Sequence, residues 1–303
     1  MVRICFLSAD RRRSRARVLI GLKFVLSAKR IITRSRRKGS THAPTRRAHC
    51  RPCLRLYCGS RRKGGRIMNQ AFIFDVFGTL LDWRTGVATQ LKHAFEMRSL
   101  SIDPLAFSDY WRALYGPAMD RVRSGSRGYV RLEELHRENL DETLQVFGIA
   151  DAFDHQARKD LSSAWERLPP WPDVCAGMAR LQPLGFLAPC SNASIAMSVR
   201  MARYADFRWD AICGAELARD YKPSPSVYLA AAKALALPPE RVVMVAAHNG
   251  DLAAASQAGL RTAFFPRANE HGPGQKTNLV PDGDWDFVAA DLSDLARKIE
   301  EQL

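Results

Sequence analysis

The feature that most constrains this chain is a set of five short apolar runs, each followed by polar residues. Every run is too short for a buried helix but has the length of a strand that is buried on both faces of a parallel sheet. Helical stretches such as LAAASQAGL (252–260) follow most of the runs. The pattern predicts an α/β fold with a doubly wound, Rossmann-like parallel sheet and helices on both faces. The runs are AFIFDV (71–76), FLAPC (186–190), AICGA (211–215), VVMVAA (242–247) and TAFF (262–265).

About a hundred residues lie between the first two runs, and this interval contains no strand-like run. Leu and aromatic residues recur three and four positions apart in three of its segments, as on the buried face of an amphipathic helix. We therefore expect a helical cap subdomain at 84–165, which closes over the strand ends and excludes water. The segment PPWPD (169–173) marks the return to the sheet domain, which we expect at 68–83 and 166–303. The helical segments are GVATQLKHAFEMRSL (86–100), FSDYWRALYGPAMDRVRSG (107–125) and RLEELHRENLDETLQVFGI (131–149).

The formal charge of +15 is spread unevenly along the chain. Residues 1–67 hold 21 of the 46 Lys and Arg residues but only one of the 31 acidic residues, Asp10. This leader therefore carries +20, and the body at 68–303 carries −5. A mildly acidic body gives no indication of nucleic-acid binding.

The basic leader has four interpretations. It fits a tail for nucleic acid or anionic lipid, an Arg-rich transit peptide, or a secretory signal in which RRRSRAR precedes VLIGLKFVLSA. Lys23 interrupts that apolar run, and no small-x-small cleavage site follows it, which weakens the signal interpretation. We favour the fourth interpretation, a start codon assigned too far upstream, because Met68 stands directly before the first strand of a complete domain. The segment Cys50-Arg-Pro-Cys53 could hold a metal, but no second cysteine pair accompanies it, so we favour the interpretation that these residues are unstructured.

The cysteines of the body indicate a reducing compartment. Cys175, Cys190 and Cys213 are widely spaced and odd in number, so they do not form a disulfide framework. No uninterrupted apolar run approaches the roughly 18 residues that a membrane span requires. We therefore expect a cytoplasmic protein that does not cross a membrane.

Polar side chains follow three of the predicted strands, and in a parallel sheet such ends meet at one edge, where ligands bind. Asp75 ends the first run, Ser191 and Asn192 follow the second, and Asp251 comes after VVMVAA. A carboxylate at such a position can act as a covalent nucleophile. Asp75 alone would be explained equally well as a cap of the following turn.

Each of the other polar residues can likewise be explained by a role in an active site or by an ordinary structural role. Ser191 and Asn192 offer donors to a carboxylate, or form an ordinary turn. Lys222 would keep a nearby carboxylate ionised, or lie on the solvated surface. Asp251 would activate water or position Lys222, or cap a helix. Their joint occurrence at strand ends, together with Asp75, favours an active site.

This order and spacing resembles the haloacid dehalogenase superfamily, and most closely the type II (S)-2-haloacid dehalogenases. The resemblance extends over about 68–290 and rests on FDVFGTLLD, on the SN after the second strand, on YKPSPSVY and on the aspartate after VVMVAA. It implies a core of this superfamily with the helical cap inserted after the first strand.

The resemblance implies a role for each matched residue. Asp75 would be the nucleophile, and Thr79 would form a hydrogen bond within the nucleophile loop. Arg112, in DYWRAL, would receive the departing halide and help to hold the substrate; its alternative is a surface arginine. Ser191 would bind the substrate carboxylate, and Asn192 would line the pocket.

The later motifs complete the implied catalytic set. Lys222 would balance the charge around Asp75, and Asp251 would assist the water that hydrolyses the ester formed on Asp75. Tyr228, in YKPSPSVY, matches a family tyrosine near the substrate; its alternative is core packing.

Phe77 distinguishes this chain from the phosphatases of the superfamily, which carry an acid two residues after the nucleophile to protonate the leaving oxygen. A halide leaves without a proton, and an apolar ring suits a dry pocket around a carbon–halogen bond. The phosphatases also place two acids in the last motif to hold Mg²⁺, whereas Asp251 is followed here by Leu252. We therefore predict that the enzyme uses no metal or other cofactor.

One segment departs from the family pattern, and another has no assigned role. Ala246, Ala247 and His248 stand where the dehalogenases have a Ser-Ser-Asn type of run. His248 would hydrogen-bond substrate or water, or titrate near neutral pH, or simply pack. No role follows from the sequence for the Gly- and Pro-rich segment 265–275.

The leading hypothesis is a hydrolase that converts short (S)-2-haloalkanoic acids to (R)-2-hydroxy acids through an ester on Asp75, as the resemblance implies. The first alternative is a Mg²⁺-dependent phosphatase that acts on a small phosphate ester. The second is a non-catalytic nucleic-acid or membrane binder that acts through its leader. The resemblance also implies a homodimer.

Overall fold

The computed structural model describes residues 69–302. The interpretations of the leader at 1–67 therefore lie outside the described residues. Within residues 69–302, no helix combines the length and the apolar character that a membrane crossing would need.

The described chain contains a six-stranded sheet in which every neighbouring pair of strands is parallel. The order across the sheet is β3-β2-β1-β4-β5-β6, so the first strand lies at its centre. The chain crosses from one side of β1 to the other between β3 and β4, which makes the sheet doubly wound. The strands are β1 (Ala71–Phe74), β2 (Phe186–Ser191), β3 (Cys213–Gly214), β4 (Val242–Ala246), β5 (Arg261–Phe264) and β6 (Phe287–Val288).

The central strands form because every side chain of β1 and β4 is apolar and buried. Such residues suit a strand that is covered on both faces. The α/β fold and all five predicted strands are thereby confirmed. The third is shorter than its apolar run, and the two-residue strand β6 was not predicted.

The chain between β1 and β2 is helical, as its periodicity predicts. Asp82, Asp103 and Asp154 cap three of these helices by accepting a hydrogen bond from a backbone N–H in the first turn. The helices up to β2 are α1 (Trp83–Glu96), α2 (Pro104–Ala113), α3 (Tyr115–Arg123), α4 (Leu132–Val146), α5 (His155–Ser162) and α6 (Val174–Leu181), with 3₁₀ turns at Ala150–Ala152 and Ser163–Glu166.

Aromatic side chains join this helical insertion to the sheet domain. Trp165 stacks on Trp83 with ring centroids 6.0 Å apart, and it meets Phe77 edge-on at 5.9 Å. Arg123 donates from Nη1 to the backbone carbonyl of Lys222 at 2.9 Å. The insertion therefore packs directly against the carboxyl ends of the strands.

The remaining helices follow the other strands and cover the sheet. They are α7 (Ile195–Ala205), α8 (Ala215–Ala218), α9 (Pro225–Ala234), α10 (Asn249–Gln257) and α11 (Leu292–Glu301), with a 3₁₀ turn at Pro239–Arg241. The stretch 252–260 was predicted to be helical, and α10 begins three residues earlier and ends three residues earlier. This shift brings Asp251 into the first turn of the helix.

Candidate active site

A cavity of about 360 Å³ lies where the helical insertion meets the carboxyl ends of β1, β2 and β4. Its walls combine acidic, basic and apolar side chains, which suits a small polar molecule. The lining residues are Asp75, Phe77, Arg112, Tyr115, Asn192, Lys222, Pro223, His248, Gly250, Asp251, Glu270 and His271.

Asp75 follows β1 directly and is 7% exposed. Its Oδ2 accepts hydrogen bonds from the hydroxyl of Thr79 at 2.7 Å and from Nδ1 of His248 at 3.0 Å. Its Oδ1 accepts from Nζ of Lys222 at 2.8 Å. Thr79 is itself fixed, because its hydroxyl oxygen accepts from the backbone N–H of Ala247. The carboxylate is therefore held in one orientation at the cavity.

The surroundings of Asp75 keep its carboxylate charged. Burial alone would raise the pKa of Asp75, but the ammonium of Lys222 and the ring of His248 hold that pKa well below its usual range. A buried carboxylate that stays ionised has the electron pair that a nucleophile needs.

Lys222 lies in the loop before α9, and its ammonium bridges two carboxylates. Nζ lies 2.8 Å from Oδ1 of Asp75 and 2.5 Å from Oδ2 of Asp251. The side-chain carbonyl of Asn192 accepts from the backbone N–H of Lys222 at 2.8 Å, which fixes the loop. Burial would lower the pKa of Lys222, but the two carboxylates raise it well above its usual value. The surface alternative for this lysine is wrong, since its side chain is only 7% exposed.

Asp251 stands in the first turn of α10, but its side chain does not cap the helix. Its carboxylate accepts from Lys222 and from the hydroxyl of Tyr228. Burial is the main reason why the pKa of Asp251 is raised; Lys222 opposes the rise and the charge of Asp75 adds to it. A carboxylate with a raised pKa is a stronger base, as proton abstraction from water requires.

His248 lies between two carboxylates. Its Nδ1 faces Asp75, and its Nε2 lies 2.8 Å from Oε2 of Glu270. Burial alone would lower the pKa of His248, but the charge of Glu270 and the hydrogen bond to Asp75 raise it to about 10. The packing alternative for His248 is therefore wrong, because both ring nitrogens have charged partners.

Glu270 was not predicted as a site residue. It comes from the segment 265–275, to which the sequence assigned no role. The side chain is 1% exposed and accepts from Nε1 of Trp83 at 3.0 Å. It passes over Gly78, where φ is +84° and an added Cβ would lie 2.8 Å from Oε2 and closer still to Oε1. The only signal in the sequence is a Glu-His pair, Glu270 and His271, in a loop that follows a strand.

Phe77, from the loop after β1, and Arg112, from the insertion, both line the cavity. Phe77 is 3% exposed and meets Trp165 edge-on. The guanidinium of Arg112 lies 4.0 Å from the centroid of the Tyr115 ring, and its Nη1 is buried with no hydrogen-bond partner. A buried, unpaired cationic donor beside an apolar ring is suited to receive an anion.

Two of the residues predicted to bind the substrate lie behind the cavity wall, as Thr79 does. Ser191 is fully buried at the end of β2, and its hydroxyl oxygen accepts from the backbone N–H of Ala193 at 3.1 Å. Tyr228 is also fully buried, and its hydroxyl is directed at Asp251. Neither residue lines the cavity, whereas Asn192 does.

The structure thus brings together all ten predicted residues at or directly behind one cavity, and their catalytic roles remain predictions. Among residues 69–302, no group of three His, Cys, Asp or Glu side chains has the arrangement of a metal site.

Comparison with known proteins identifies the family. The model of the haloacid dehalogenase-like hydrolases matches residues 70–259. The chain belongs to this family, and the resemblance noted in its sequence is confirmed.

Two named enzymes and one crystal structure are similar to this chain. The chain is 28% identical over 205 residues to (S)-2-haloacid dehalogenase 1 of Pseudomonas sp. (strain CBS-3), a match that covers 66% of this chain and 86% of the relative. It is 27% identical over 205 residues to the (S)-2-haloacid dehalogenase of Xanthobacter autotrophicus, covering 67% of this chain and 77% of the relative. A crystal structure of a defluorinating L-2-haloacid dehalogenase is similar with 44% identity and a TM-score of 0.75, covering 76% of this chain and 95% of that one.

Proposed function

We propose that this chain hydrolyses the carbon–halogen bond of short (S)-2-haloalkanoic acids and releases (R)-2-hydroxy acids, without a metal or other cofactor. The observation that carries the proposal is the ionised carboxylate of Asp75 in a cavity that is also lined by Arg112, whose buried Nη1 has no hydrogen-bond partner. Relatives named (S)- and L-2-haloacid dehalogenases support the same substrate class.

The first step is a displacement at the carbon that bears the halogen. A carboxylate oxygen of Asp75 forms a bond to this carbon, and the bonding pair of the carbon–halogen bond leaves with the halide. The halide then lies near the donors of Arg112, while Phe77 keeps that side of the cavity apolar and dry. Attack from the side opposite to the halogen inverts the carbon.

The second step hydrolyses the ester on Asp75. Asp251 takes a proton from water, and the water oxygen bonds to the carboxyl carbon of Asp75. The bond from that carbon to the ester oxygen then breaks, Asp251 returns the proton to the leaving oxygen of the 2-hydroxy acid, and the second water proton is lost to solvent as the Asp75 carboxylate re-forms. Lys222 keeps Asp251 in place before and after the transfer, and Tyr228 holds the other oxygen of Asp251. The configuration set in the first step is retained, because no bond to the substrate carbon breaks here.

Binding of the substrate carboxylate is assigned to the end of β2. Asn192 lines the cavity and Ser191 lies directly before it, so the carboxylate would meet the start of this loop. A place for the substrate between this loop and Arg112 puts its reacting carbon near Asp75. His248, predicted from the sequence to contact the substrate, also lines the cavity.

Phosphate-ester hydrolysis with Mg²⁺ is less well supported. Phe77 stands where a phosphatase needs an acid to protonate its leaving group, and Asp251 is followed by the buried Leu252. The ammonium of Lys222 also occupies the space between Asp75 and Asp251. A cation fixed there competes with a second cation for the same two carboxylates.

The organisation of the whole protein is part of the proposal. We assign 84–165 to a cap that closes on the substrate, 68–83 and 166–303 to the core domain, and 1–67 to a leader that catalysis does not need. We propose a homodimer in the cytoplasm whose partner is a small 2-haloacid and which binds neither nucleic acid nor membranes. The resemblance supports the dimer, and the composition of the body supports the other assignments.

The test uses the purified full chain with (S)-2-chloropropionate in EDTA, and follows chloride release. We expect chloride from the wild type, none from Asp75→Asn, and little from the (R) enantiomer. Phosphate release from a generic phosphate ester, seen only with Mg²⁺ and without any chloride release, would contradict the proposal. Removal of residues 1–67 should leave chloride release unchanged; its loss would favour a function for the leader.

A further inference from the structure

Each ring nitrogen of His248 faces a carboxylate oxygen, so each nitrogen has to donate a hydrogen bond. Nδ1 lies 3.0 Å from a carboxylate oxygen of Asp75, and Nε2 lies 2.8 Å from one of Glu270. The pKa of each carboxyl is lowered in spite of burial, so neither carries a proton to share. A neutral imidazole has only one N–H, whereas an imidazolium donates from both nitrogens. His248 is therefore a fixed cation against the nucleophile.

The two oxygens of Asp75 are not equivalent. Oδ2 accepts from both Thr79 and His248, whereas Oδ1 accepts from Lys222 alone among the residues that the structure describes. An oxygen with two donors has less electron density available for a new bond. Oδ1 is therefore the oxygen that attacks, and Oδ2 becomes the carbonyl oxygen of the ester.

This assignment determines where charge develops during hydrolysis of the ester. When water adds to Cγ of Asp75, the electron pair of the carbonyl bond moves onto Oδ2, which becomes an oxyanion. Collapse restores that carbonyl bond and breaks the bond from Cγ to Oδ1, so that Oδ1 leaves as the hydroxyl oxygen of the product. The donors of Thr79 and His248 already point at Oδ2 before the reaction begins.

We propose that the His248 imidazolium and the Thr79 hydroxyl form the oxyanion hole for hydrolysis of the Asp75 ester, and that Glu270 is the positioning residue that holds the imidazolium in place. The inference rests on the proposed function, since it concerns the second of its two steps. Donors arranged in advance at a developing charge in a dry site give one of the largest contributions to catalysis.

Glu270 is built to hold this imidazolium. Glu270 is almost fully buried, and its Oε1, the oxygen that does not face His248, accepts a hydrogen bond from Trp83, the first residue of α1. Without the negative charge of Glu270, formation of the ester would leave the partly buried His248 cation with no hydrogen-bonded anion beside it. The charged or titratable groups that line the cavity together with His248 are Asp75, Arg112, Tyr115, Lys222, Asp251, Glu270 and His271.

The experiment separates the two steps by following a single turnover of the full chain with (S)-2-chloropropionate. Quenched samples give chloride, 2-hydroxypropionate and the intact mass of the protein. For Glu270→Gln and for His248→Asn we expect chloride to be released in the first turnover, while the hydroxy acid forms about a hundredfold more slowly. The ester should accumulate as added mass on the protein. His248→Asn keeps the test decisive if Glu270→Gln does not fold.

The pH dependence gives a readout that a structural role of Glu270 would not change. In the wild type, Glu270 still favours the imidazolium once the ester has formed, because its negative charge raises the pKa of His248 independently of the charge of Asp75. In Glu270→Gln, hydrolysis of the ester should decline at a lower pH than in the wild type, because the anion that favours the cation is absent.

Asp173→Asn is the matched control. Asp173 is a partly buried carboxylate that pairs with Arg267, at 2.7 Å, in the same loop as Glu270 but outside the cavity. This variant should lose stability without accumulating ester or shifting the pH profile. Equal slowing of chloride and hydroxy acid in the Glu270 and His248 variants, with no ester, would overturn the inference and leave the proposed function intact. A wild type that releases no chloride would overturn both.

Discussion

Replacement of Gly78 by Ala tests how the nucleophile loop and Glu270 depend on each other. Gly78 has φ of +84°, and its missing side chain leaves the space that the Glu270 carboxylate occupies. An added Cβ would overlap that carboxylate, so Glu270 has to move. Glu270 would then release either Trp83 or His248, its two closest partners.

The expected loss of stability in Gly78→Ala is the sum of two contributions. A residue with a Cβ in the left-handed region costs roughly 1–2 kcal/mol. An extra methyl group in a packed interior costs about 1–3 kcal/mol more. We therefore expect Gly78→Ala to lower the free energy of unfolding by about 2–5 kcal/mol in total.

Gly125→Ala is the control, because it separates the two contributions. Gly125 has φ of +74°, but a Cβ there would meet no atom within 4 Å. This variant should show only the backbone cost. Urea denaturation of the wild type and both variants, monitored by tryptophan fluorescence, gives the three free energies.

The difference in the free energy of unfolding between Gly78→Ala and Gly125→Ala tests whether the approach of Glu270 matters. If Gly78→Ala is no more destabilised than Gly125→Ala, the close approach of Glu270 has no energetic consequence and the reasoning is refuted. If the difference is present, Gly78→Ala should also accumulate the ester on Asp75 as Glu270→Gln does, because both disturb the carboxylate behind His248.

Three further predictions concern the charges at the cavity. Lys222→Met should abolish chloride release, which a chloride assay measures. The free energy of unfolding of this variant should rise as the pH is lowered from 8 to 5, because two buried carboxylates lose their cation and their pKa values rise; urea titrations over this range measure it. Arg112→Met should lose chloride release while the free energy of unfolding falls by no more than about 2 kcal/mol, since Nη1 has no hydrogen-bond partner to lose and the main loss is the cation–π contact with Tyr115; a larger loss of stability would contradict its assignment to the halide. The melting temperature of the wild type should fall as the pH rises from about 6.5 to 10, because the pKa of His248 is raised in the folded state and its stabilisation disappears as the ring loses its proton. His248→Asn should remove this fall, and a curve unchanged by the substitution would show that another group titrates.

The sequence predicts the sheet well, because its strands are continuous apolar runs with a length that helices do not share. Strand β6 was missed because Phe287 and Val288 are too short a run to stand out. Asp75, Lys222 and Asp251 were brought together correctly, since parallel strands place their following loops at one edge.

What could not be predicted depends on side-chain direction. Glu270 lies in a loop without periodicity, and its approach depends on the space above Gly78, which no spacing of residues reveals. The hydroxyl of Tyr228 faces Asp251 from behind the cavity because α9 packs against α10, and this orientation also follows only from the packing.

The close approach of Glu270 over Gly78 has a consequence for the history of this group of enzymes. The cation at position 248 depends on the acid at position 270, and the acid depends on the space above the glycine at position 78. An ancestor with an amide at position 248 would have gained little from an acid at position 270. The two positions should therefore have changed together, and lineages that keep one without the other should be rare.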